Sequence, residues 1–386
     1  MNLTYTPEQR AFRAEIRDWL ARHVPDKPLL SFDATREGFE AHRAWERTLA
    51  EGRWGMVTWP QEYGGRGVDL IQWLIFEEEY YRSGAPGRVN QNGIFLLGPT
   101  LMEFGTPEQK ARFLPAMASG DEIWAQAWSE PQAGSDLASV RATATRDGDH
   151  YVLNGLKTWS SRAAFADWAF GLFRTEPGSQ RHKGLTLILF PLNAPGVTVK
   201  PIARIDGKVG FAEIFLDDVR VPVSQRLGDD GQGWHICMVT AGFERGLMLR
   251  SPARYQVAAA RLAALYRRQG NPADSATRAA VARAWMDAEA YALSIYSTAS
   301  RILAGQPIGP ETSTNKIFWS ELDVALNRVA LSILGARAEL MPDPDEPNPT
   351  GDWLDDYIFS LAGPIYAGSN EIQRNIIAER MLGLPR

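Results

Sequence analysis

The sequence is almost without cysteine, since Cys237 is the only one among 386 residues. This excludes a disulfide framework and a thiolate metal cluster, and the lone thiol is expected to be a small buried hydrophobic group. The five histidines are scattered along the chain, which disfavours a histidine metal site. The sequence also lacks a P-loop, a GxGxxG fingerprint after a strand, HExxH and GxSxG. If the protein is an enzyme, an organic cofactor is therefore favoured.

Long hydrophobic runs are also missing, because no stretch reaches the roughly 18 apolar residues that a membrane span needs. The N-terminal segment has no secretory hydrophobic region, and Glu8, Glu15 and Asp18 accompany its arginines, unlike an acid-poor transit peptide. The formal charge of -5 and the pI of about 5.7 disfavour broad binding to nucleic acid or anionic membranes. A cytoplasmic protein that binds neither nucleic acid nor membrane is expected.

Helical signals dominate the first part of the chain. In TPEQRAFRAEIRDWLARHV, Thr6 can cap a helix, Pro7 suits its first position and Gln9 completes a capping box. The same TPEQ opening recurs at 106–109, which indicates a second helix with the same cap. Between them, WPQEYGGRG at 59–67 predicts a glycine-rich loop.

Strand signals replace helical ones after about residue 120. Asn154-Gly155 stands between two short runs of strand character and predicts a hairpin. Further strands are expected at 185–192, 197–203 and 212–222, with the turn spacing of a small barrel or sandwich.

Helical periodicity returns from Trp234 onward. Pro252 is expected to bend or interrupt the first helix there, and the proline-rich segment 341–352 is expected to be a loop. The fold class is therefore α+β, with a helical domain at 1–120, a β domain at 121–230 and a helical domain at 231–386.

The segment AQAWSEPQAGSDLASV at 125–140 is the most distinctive of the chain. SEP and AGSD have the character of two tight turns that offer backbone N–H groups and hydroxyls to an anionic or carbonyl-rich ligand. The alternative is a pair of ordinary loops in which Ser135 and Asp136 serve as caps.

Four motifs in order resemble the acyl-CoA dehydrogenase family: LGPTLMEFGTPEQKARFLPAMASGDEIWAQAWSEPQAGSD, NGLKTWSS, FLDDVRVP and YAGSNEIQR. The resemblance covers essentially the whole chain. It implies an N-terminal helical domain, a middle β-barrel or sandwich domain and a C-terminal four-helix bundle, the order that the residues themselves indicate.

The resemblance also implies an activity in fatty acid or lipid metabolism. A FAD enzyme of this kind oxidises an acyl-CoA to the trans-2-enoyl-CoA. A carboxylate removes the α-proton while the β-hydrogen leaves as hydride to flavin N5. An electron-transfer flavoprotein is the acceptor that the family implies.

Five residues of this sequence match positions that bind FAD in the family. Trp128 and Ser129 match the segment along the pyrimidine edge of the flavin, and Ser135 matches a serine near the FAD pyrophosphate and the acyl-CoA. Trp159 matches the aromatic residue that packs on the flavin, and Ser161 the hydroxyl that hydrogen-bonds near N5. The alternative for Trp159 is a core aromatic residue among 13 tryptophans.

The terminal turn departs from the family pattern. Many members read YEGT, where the glutamate is the base, but here YAGS places Ala367 at that position. Ser369 keeps a hydroxyl for the flavin, and the N–H of residue 367 is expected to hold the thioester carbonyl. A minority branch has its base on the first long helix of the C-terminal bundle. Glu244 in GFERG falls there, and Arg245 matches the adjacent arginine at the substrate. The alternative for Glu244 is a solvated helix residue.

Two further elements depart from the family. The RxxFG and QxxGGxGY motifs, which reach FAD from a neighbouring subunit, have only YRRQG (266–270) and ALSILGARAEL (330–340) as counterparts. Arg268, or its neighbour Arg267, is expected to meet the pyrophosphate. Both a homo-oligomer (dimer or tetramer) and a heteromer with a second acyl-CoA dehydrogenase-like subunit fit this pattern.

Three functions thus stay open at this level: an acyl-CoA dehydrogenase that uses Glu244, a non-catalytic or half-site partner subunit, and an acyl-CoA oxidase or flavin monooxygenase on the same fold. The sequence does not specify the acyl group. One aromatic-rich stretch can line an acyl pocket or form core, with core favoured: Trp73, Phe76, Tyr80 and Tyr81.

Overall fold

The computed structural model describes residues 4–245, 250–306, 309–340 and 351–385, apart from the side chains of residues 244, 245, 351 and 352. The chain divides into two compact units. The sheet unit consists of Pro25–Gly67 and Pro86–Glu244, and the bundle unit of Met1–Val24, Val68–Ala85 and Arg245–Arg386. Within the described ranges, none of the helices combines the length and the apolar character needed to cross a membrane.

The α-helices of the described residues, in chain order, are α1 (Pro7–His23), α2 (Arg36–Glu51), α3 (Leu70–Arg82), α4 (Gly98–Phe104), α5 (Pro107–Ala118), α6 (Gly233–Arg245), α7 (Pro252–Gln269), α8 (Ser275–Leu303), α9 (Thr312–Leu334), α10 (Gly351–Ser360) and α11 (Asn370–Ile376). Helices α2, α4, α5 and most of α6 belong to the sheet unit, and the others to the bundle unit.

The two predicted capping boxes are confirmed. The Thr6 hydroxyl accepts the Gln9 N–H at 3.2 Å, and the Gln9 side chain accepts the Thr6 N–H at 3.0 Å. Thr106 and Gln109 repeat both bonds at the start of α5. Each box satisfies two donors that a helix N-terminus would otherwise leave without partners.

The bundle unit is built on apolar helix faces. Helix α1 packs on α3, and it buries Phe12, Ile16 and Leu20, each of which stabilises the unit by about 1.5–3 kcal/mol. Helices α7, α8 and α9 pack on one another. Pro252 interrupts the helical run as predicted, because α7 begins at this residue. Of the predicted loop at 341–352, residues 341–350 lie outside the described residues, and α10 already begins at Gly351.

The strands of the sheet unit are β1 (Trp124–Ala127), β2 (Thr143–Asp147), β3 (His150–Ser161), β4 (Trp168–Arg174), β5 (Leu185–Pro191), β6 (Val197–Ile202), β7 (Phe211–Pro222) and β8 (Arg226–Leu227). They form one sheet in the order β6-β7-β3-β2-β4-β5-β8, with β1 paired to β4 in parallel. The three strands expected at 185–192, 197–203 and 212–222 are confirmed, and with them the helical–β–helical order.

The hairpin predicted at Asn154-Gly155 is wrong. Strand β3 runs through this dipeptide, and its register against β7 shifts between Leu153 and Gly155. The chain instead reverses at Gly148, between the paired residues Asp147 and His150. Gly155 has φ of +138°, and a Cβ there would lie 2.6 Å from the Cβ of Ala142. A glycine is therefore needed at position 155 for a β-bulge and for the close approach of two backbone segments, and not for a turn.

Candidate active site

The segment that follows β1 carries Trp128 and Ser129. Trp128 is 7% exposed, and its ring meets that of Phe170 edge-on at 6.0 Å. The indole Nε1 is buried and has no hydrogen-bond partner among the described residues. A buried donor without a partner is costly, so an acceptor from a ligand would complete this position. The Ser129 carbonyl accepts the Thr158 N–H at 2.9 Å, which brings this segment beside residue 159.

Trp159 lies in a β-bulge, where the register of β3 against β7 shifts between Lys157 and Ser160. Its φ is +56°, a conformation that costs a residue with a Cβ roughly 1–2 kcal/mol. The side chain is 60% exposed and touches Phe211 edge-on at 5.9 Å. The interpretation of Trp159 as a core aromatic residue is therefore wrong. A strained bulge that exposes a large ring suits the stacking of a flat ligand. Ser161, two residues later, is half-buried and pairs with Phe211.

The predicted tight turn at SEP is confirmed by reciprocal backbone bonds between Glu130 and Ala133, at 3.0 and 2.9 Å. Ser135 follows in an exposed position. Asp136 forms an ion pair with Arg181 at 2.9 Å, so its side chain serves this surface contact. The structure thus places Ser135 on the accessible surface of the sheet unit, where its hydroxyl can reach a ligand.

A separate open cavity of about 510 Å³ lies in the sheet unit. Arg36, Arg112, Glu122 and the segment Ala163–Trp168 form most of its lining, and none of the predicted site residues is among the lining residues. Arg112 already pairs with Glu122, and Arg36 donates to the carbonyl of Phe165. The cavity and the predicted site are therefore different features.

Glu244 and Arg245 are the last two residues of α6, and their side chains lie outside the described residues. Earlier on the same helix, Cys237 and Thr240 are buried. Burial also raises the pKa of the Cys237 thiol well above its ordinary value, which agrees with the expectation of a small buried hydrophobic group.

In the bundle unit, the turn before α11 is strained at Ala367, and Gly368 continues its left-handed backbone without strain. Ala367 has φ of +57° and Gly368 of +76°. The Ala367 N–H has no hydrogen-bond acceptor among the described residues. The Ser369 hydroxyl caps α11 by accepting the Ile372 N–H at 3.3 Å. The free N–H of Ala367 thus lies just before the capped start of α11, and it can donate to a carbonyl oxygen.

Lys316 and Asn370 hold this turn, and neither residue was predicted from the sequence. The Lys316 ammonium is buried and donates to the Gly363 carbonyl at 2.6 Å and to the Asn370 side-chain oxygen at 3.0 Å. On the other side of the turn, the Tyr366 hydroxyl accepts from Arg250 at 3.2 Å. The only sequence signal was a lysine at the start of an otherwise mostly apolar helix stretch, KIFW.

Arg268 lies exposed near the end of α7, about 24 Å along the helix from Pro252 by the usual rise per residue. The neighbouring Arg267 is exposed as well. Both guanidinium groups are therefore accessible at the surface of the bundle unit.

The described positions fit a flat heteroaromatic group with hydrogen-bonding edges, such as a flavin. Trp128 offers a buried donor without a partner and Trp159 an exposed ring. Ser129 lies beside them, joined through the Thr158 N–H. These three residues all lie in the sheet unit, whereas Ala367, whose N–H is free among the described residues, lies in the bundle unit.

Comparison with known proteins gives a consistent result. The sequence models of the acyl-CoA dehydrogenase N-terminal, middle and C-terminal domains match residues 6–121, 125–219 and 231–382. The acyl-CoA dehydrogenase IpdE1 of Mycobacterium tuberculosis is 42% identical over 381 residues, with 97% of both chains covered.

Two solved structures are similar over the full length of both chains. The Tcur3481-Tcur3483 steroid ACAD has a TM-score of 0.89 and 29% identity. The ChsE4-ChsE5 complex from Mycobacterium tuberculosis has a TM-score of 0.84 and 32% identity. The three domain matches and the identity to IpdE1 establish that this chain belongs to the acyl-CoA dehydrogenase family of flavoprotein oxidoreductases.

Proposed function

We propose that this protein catalyses the FAD-dependent α,β-dehydrogenation of an acyl-CoA thioester to the trans-2-enoyl-CoA. The observation that carries the proposal is the turn at Ala367. Its N–H is free among the described residues and its backbone is held in a left-handed conformation. The same position cannot supply a base, because alanine has no group that accepts a proton.

In this proposal, Glu244 removes the α-proton of the substrate. The Ala367 N–H donates to the thioester carbonyl and stabilises the negative charge that develops on that oxygen as the proton leaves. Lys316 and Asn370 keep the turn in place, and Arg245 lies next to the base at the substrate. Bound FAD would supply the acceptor for the β-hydride. The residues that would hold FAD are Trp128, Ser129, Trp159, Ser161 and Ser369, and Ser135 would lie at its pyrophosphate.

The acyl group that we propose is a bulky, steroid-derived one. The support is the similarity over the whole chain to a solved structure described as a steroid ACAD. An electron-transfer flavoprotein is the proposed electron acceptor. A panel of CoA thioesters that contains straight-chain acyl groups and a steroid side-chain acid tests the acyl class directly.

A second subunit of the same family is the proposed partner. The counterparts of two subunit-bridging motifs, at 266–270 and 330–340, depart from the family pattern, and one similar solved structure is a complex of two proteins, ChsE4 and ChsE5. A half-site partner that completes a site on another chain is the second candidate function, and the same departures favour it. A homo-oligomer would instead have Arg268 at the pyrophosphate of a neighbouring copy.

The test is the visible spectrum of the protein expressed alone, followed by anaerobic titration with the thioester panel. A yellow protein whose flavin bleaches with one thioester supports the dehydrogenase. A colourless protein that becomes yellow only after co-expression with a second family member supports the half-site partner. Stoichiometric peroxide during aerobic turnover would favour an oxidase. A flavin that no CoA thioester reduces contradicts the proposed function.

A further inference from the structure

A buried ion pair joins the two segments of the sheet unit that carry the expected flavin contacts. Lys157 on β3 is fully buried, and its ammonium lies 2.8 Å from a carboxylate oxygen of Glu130, which is 4% exposed. The same ammonium donates to the carbonyls of Leu172 at 2.6 Å and of Trp128 at 3.3 Å. All three ammonium protons thus have acceptors, and these acceptors lie on two other segments of the chain.

The Glu130 carboxylate is satisfied to the same degree. Besides the Lys157 ammonium, it accepts hydrogen bonds from the backbone N–H groups of Arg141 at 2.7 Å and Ala142 at 2.9 Å. The side chain of Gln132 donates to it at 2.7 Å as well. The carboxylate therefore closes the loop from Glu130 to Ala142, the loop in which Ser135 lies, and fastens the base of that loop to β3.

Burial of two charges away from the surface is unfavourable unless each is paired and hydrogen-bonded. A purely apolar pair would fill the same space without this cost. The ion pair differs from an apolar pair because its hydrogen bonds are directional, and each of them fixes the position of one atom of the chain. One of these bonds fixes the carbonyl of Trp128, the residue whose indole N–H has no partner among the described residues. The lysine itself lies two residues before the exposed ring of Trp159.

We infer that Glu130 and Lys157 are positioning residues that set the distance between the Trp128–Ser135 loop and the Trp159–Ser161 bulge, and so the shape of the flavin position. The inference rests on the proposed function, since it needs a flavin at these segments. Neither residue is assigned a contact with the flavin or the substrate. Their effect is exerted through the backbone of residues 128–130 and through β3.

Three variants of the full-length protein test the inference: Glu130→Gln, Lys157→Met and the double variant. Each single variant leaves one buried charge without its partner, so both are expected to lose thermal stability. The double variant leaves no unpaired charge and should regain much of the lost melting temperature. Circular dichroism in the far ultraviolet checks that each variant is folded.

The readouts are the dissociation constant of FAD, from titration of the flavin-free protein, and the visible circular dichroism of the bound flavin. The double variant should melt near the wild type but bind FAD roughly 10-fold more weakly or worse, with altered visible bands, because a supporting contact is lost. Asp167→Asn is the matched control. It removes the negative charge that pairs with Arg43 at 3.0 Å in the same unit but keeps an oxygen that can accept the Ile123 N–H, and FAD binding should not change.

The outcomes separate the two proposals. If wild-type protein binds FAD and the double variant binds it with the same affinity and spectrum, the pair has only a structural role and the inference is wrong. An equal loss of FAD affinity in Asp167→Asn also overturns it. Wild-type protein that binds no FAD, alone or with a second family member, contradicts the proposed function and the inference together.

Discussion

The hydroxyl oxygens of Thr100 and Thr240 lie 2.9 Å apart, and both side chains are buried. Thr100 is on α4 and Thr240 on α6, so a hydrogen bond joins these helices one turn before residue 244. Each hydroxyl also contacts the backbone carbonyl four residues before it, that of Leu96 at 2.7 Å and that of Ile236 at 2.8 Å. The end of α6 that carries the proposed base is thus fixed by a directional contact as well as by apolar packing.

Thr240→Val removes this bond and keeps the shape of the side chain. We expect the rate of flavin reduction by substrate to fall by about 10-fold, because small displacements of a catalytic group are costly. FAD content should not change, since neither threonine is an expected flavin contact. Anaerobic stopped-flow absorbance measures the rate. Thr175→Val is the control: it breaks a similar hydroxyl pair, 2.7 Å to Thr186, and should leave the rate unchanged. Equal losses in both variants would contradict the assignment.

Glu244→Gln tests the base itself. The variant should bind FAD and acyl-CoA as before but lose reduction by on the order of 10²–10⁴-fold, the usual effect of removing a positioned base. Ala367→Glu in the same background should recover part of the rate, since it returns a carboxylate to the alternative position. Ala367→Gln, which has the same size but no carboxylate, should recover nothing. Undiminished reduction in Glu244→Gln would remove Glu244 from the mechanism.

Local signals predicted local structure well. The boxes at Thr6 and Thr106 need only residues three positions apart, and both form. The hairpin prediction failed because two glycine dipeptides, Gly148-Asp149 and Asn154-Gly155, compete within one short stretch. Which of them turns the chain depends on the pairing of β3 with β7, some 60 residues later, and this information is not local.

The same limit applies to the candidate site. Trp128, Trp159 and Ala367 could be named from motifs, and the structure adds the strain and exposure that motifs do not contain. The pairing of Glu130 with Lys157 was missed although each is part of a quoted motif. No local pattern in the sequence indicates that this glutamate and this lysine, 27 residues apart, form an ion pair. The available hint was the presence of charged residues among buried strand positions, where such side chains are rare unless paired.

Trp159→Ala separates ligand binding from stability. Because the ring is 60% exposed, its loss should change the free energy of unfolding of the flavin-free protein by no more than about 0.5 kcal/mol. FAD affinity should fall by roughly 10-fold, as expected when a stacked aromatic contact is lost. Trp19→Ala, at a half-buried tryptophan stacked on His23 at 4.1 Å, is the comparison and should leave FAD affinity unchanged. Unaltered FAD affinity in Trp159→Ala would exclude stacking on this ring.

The acid stability of the protein should depend on Glu130. Burial alone raises the pKa of this carboxyl, but the Lys157 ammonium and the N–H groups of Arg141 and Ala142 outweigh burial and hold the pKa below its ordinary value of 4.5.

In the unfolded chain Glu130 takes up its proton near the ordinary value, whereas in the folded chain it does so only at lower pH. Its contribution to stability is therefore complete above that value and is lost as pH falls through the folded pKa. Melting temperatures measured from about pH 7 down to pH 3 should fall more steeply for the wild type than for Glu130→Gln, so that the two curves converge in acid. Parallel curves would mean that Glu130 has the same pKa folded and unfolded, and that the ion pair to Lys157 is not maintained in solution.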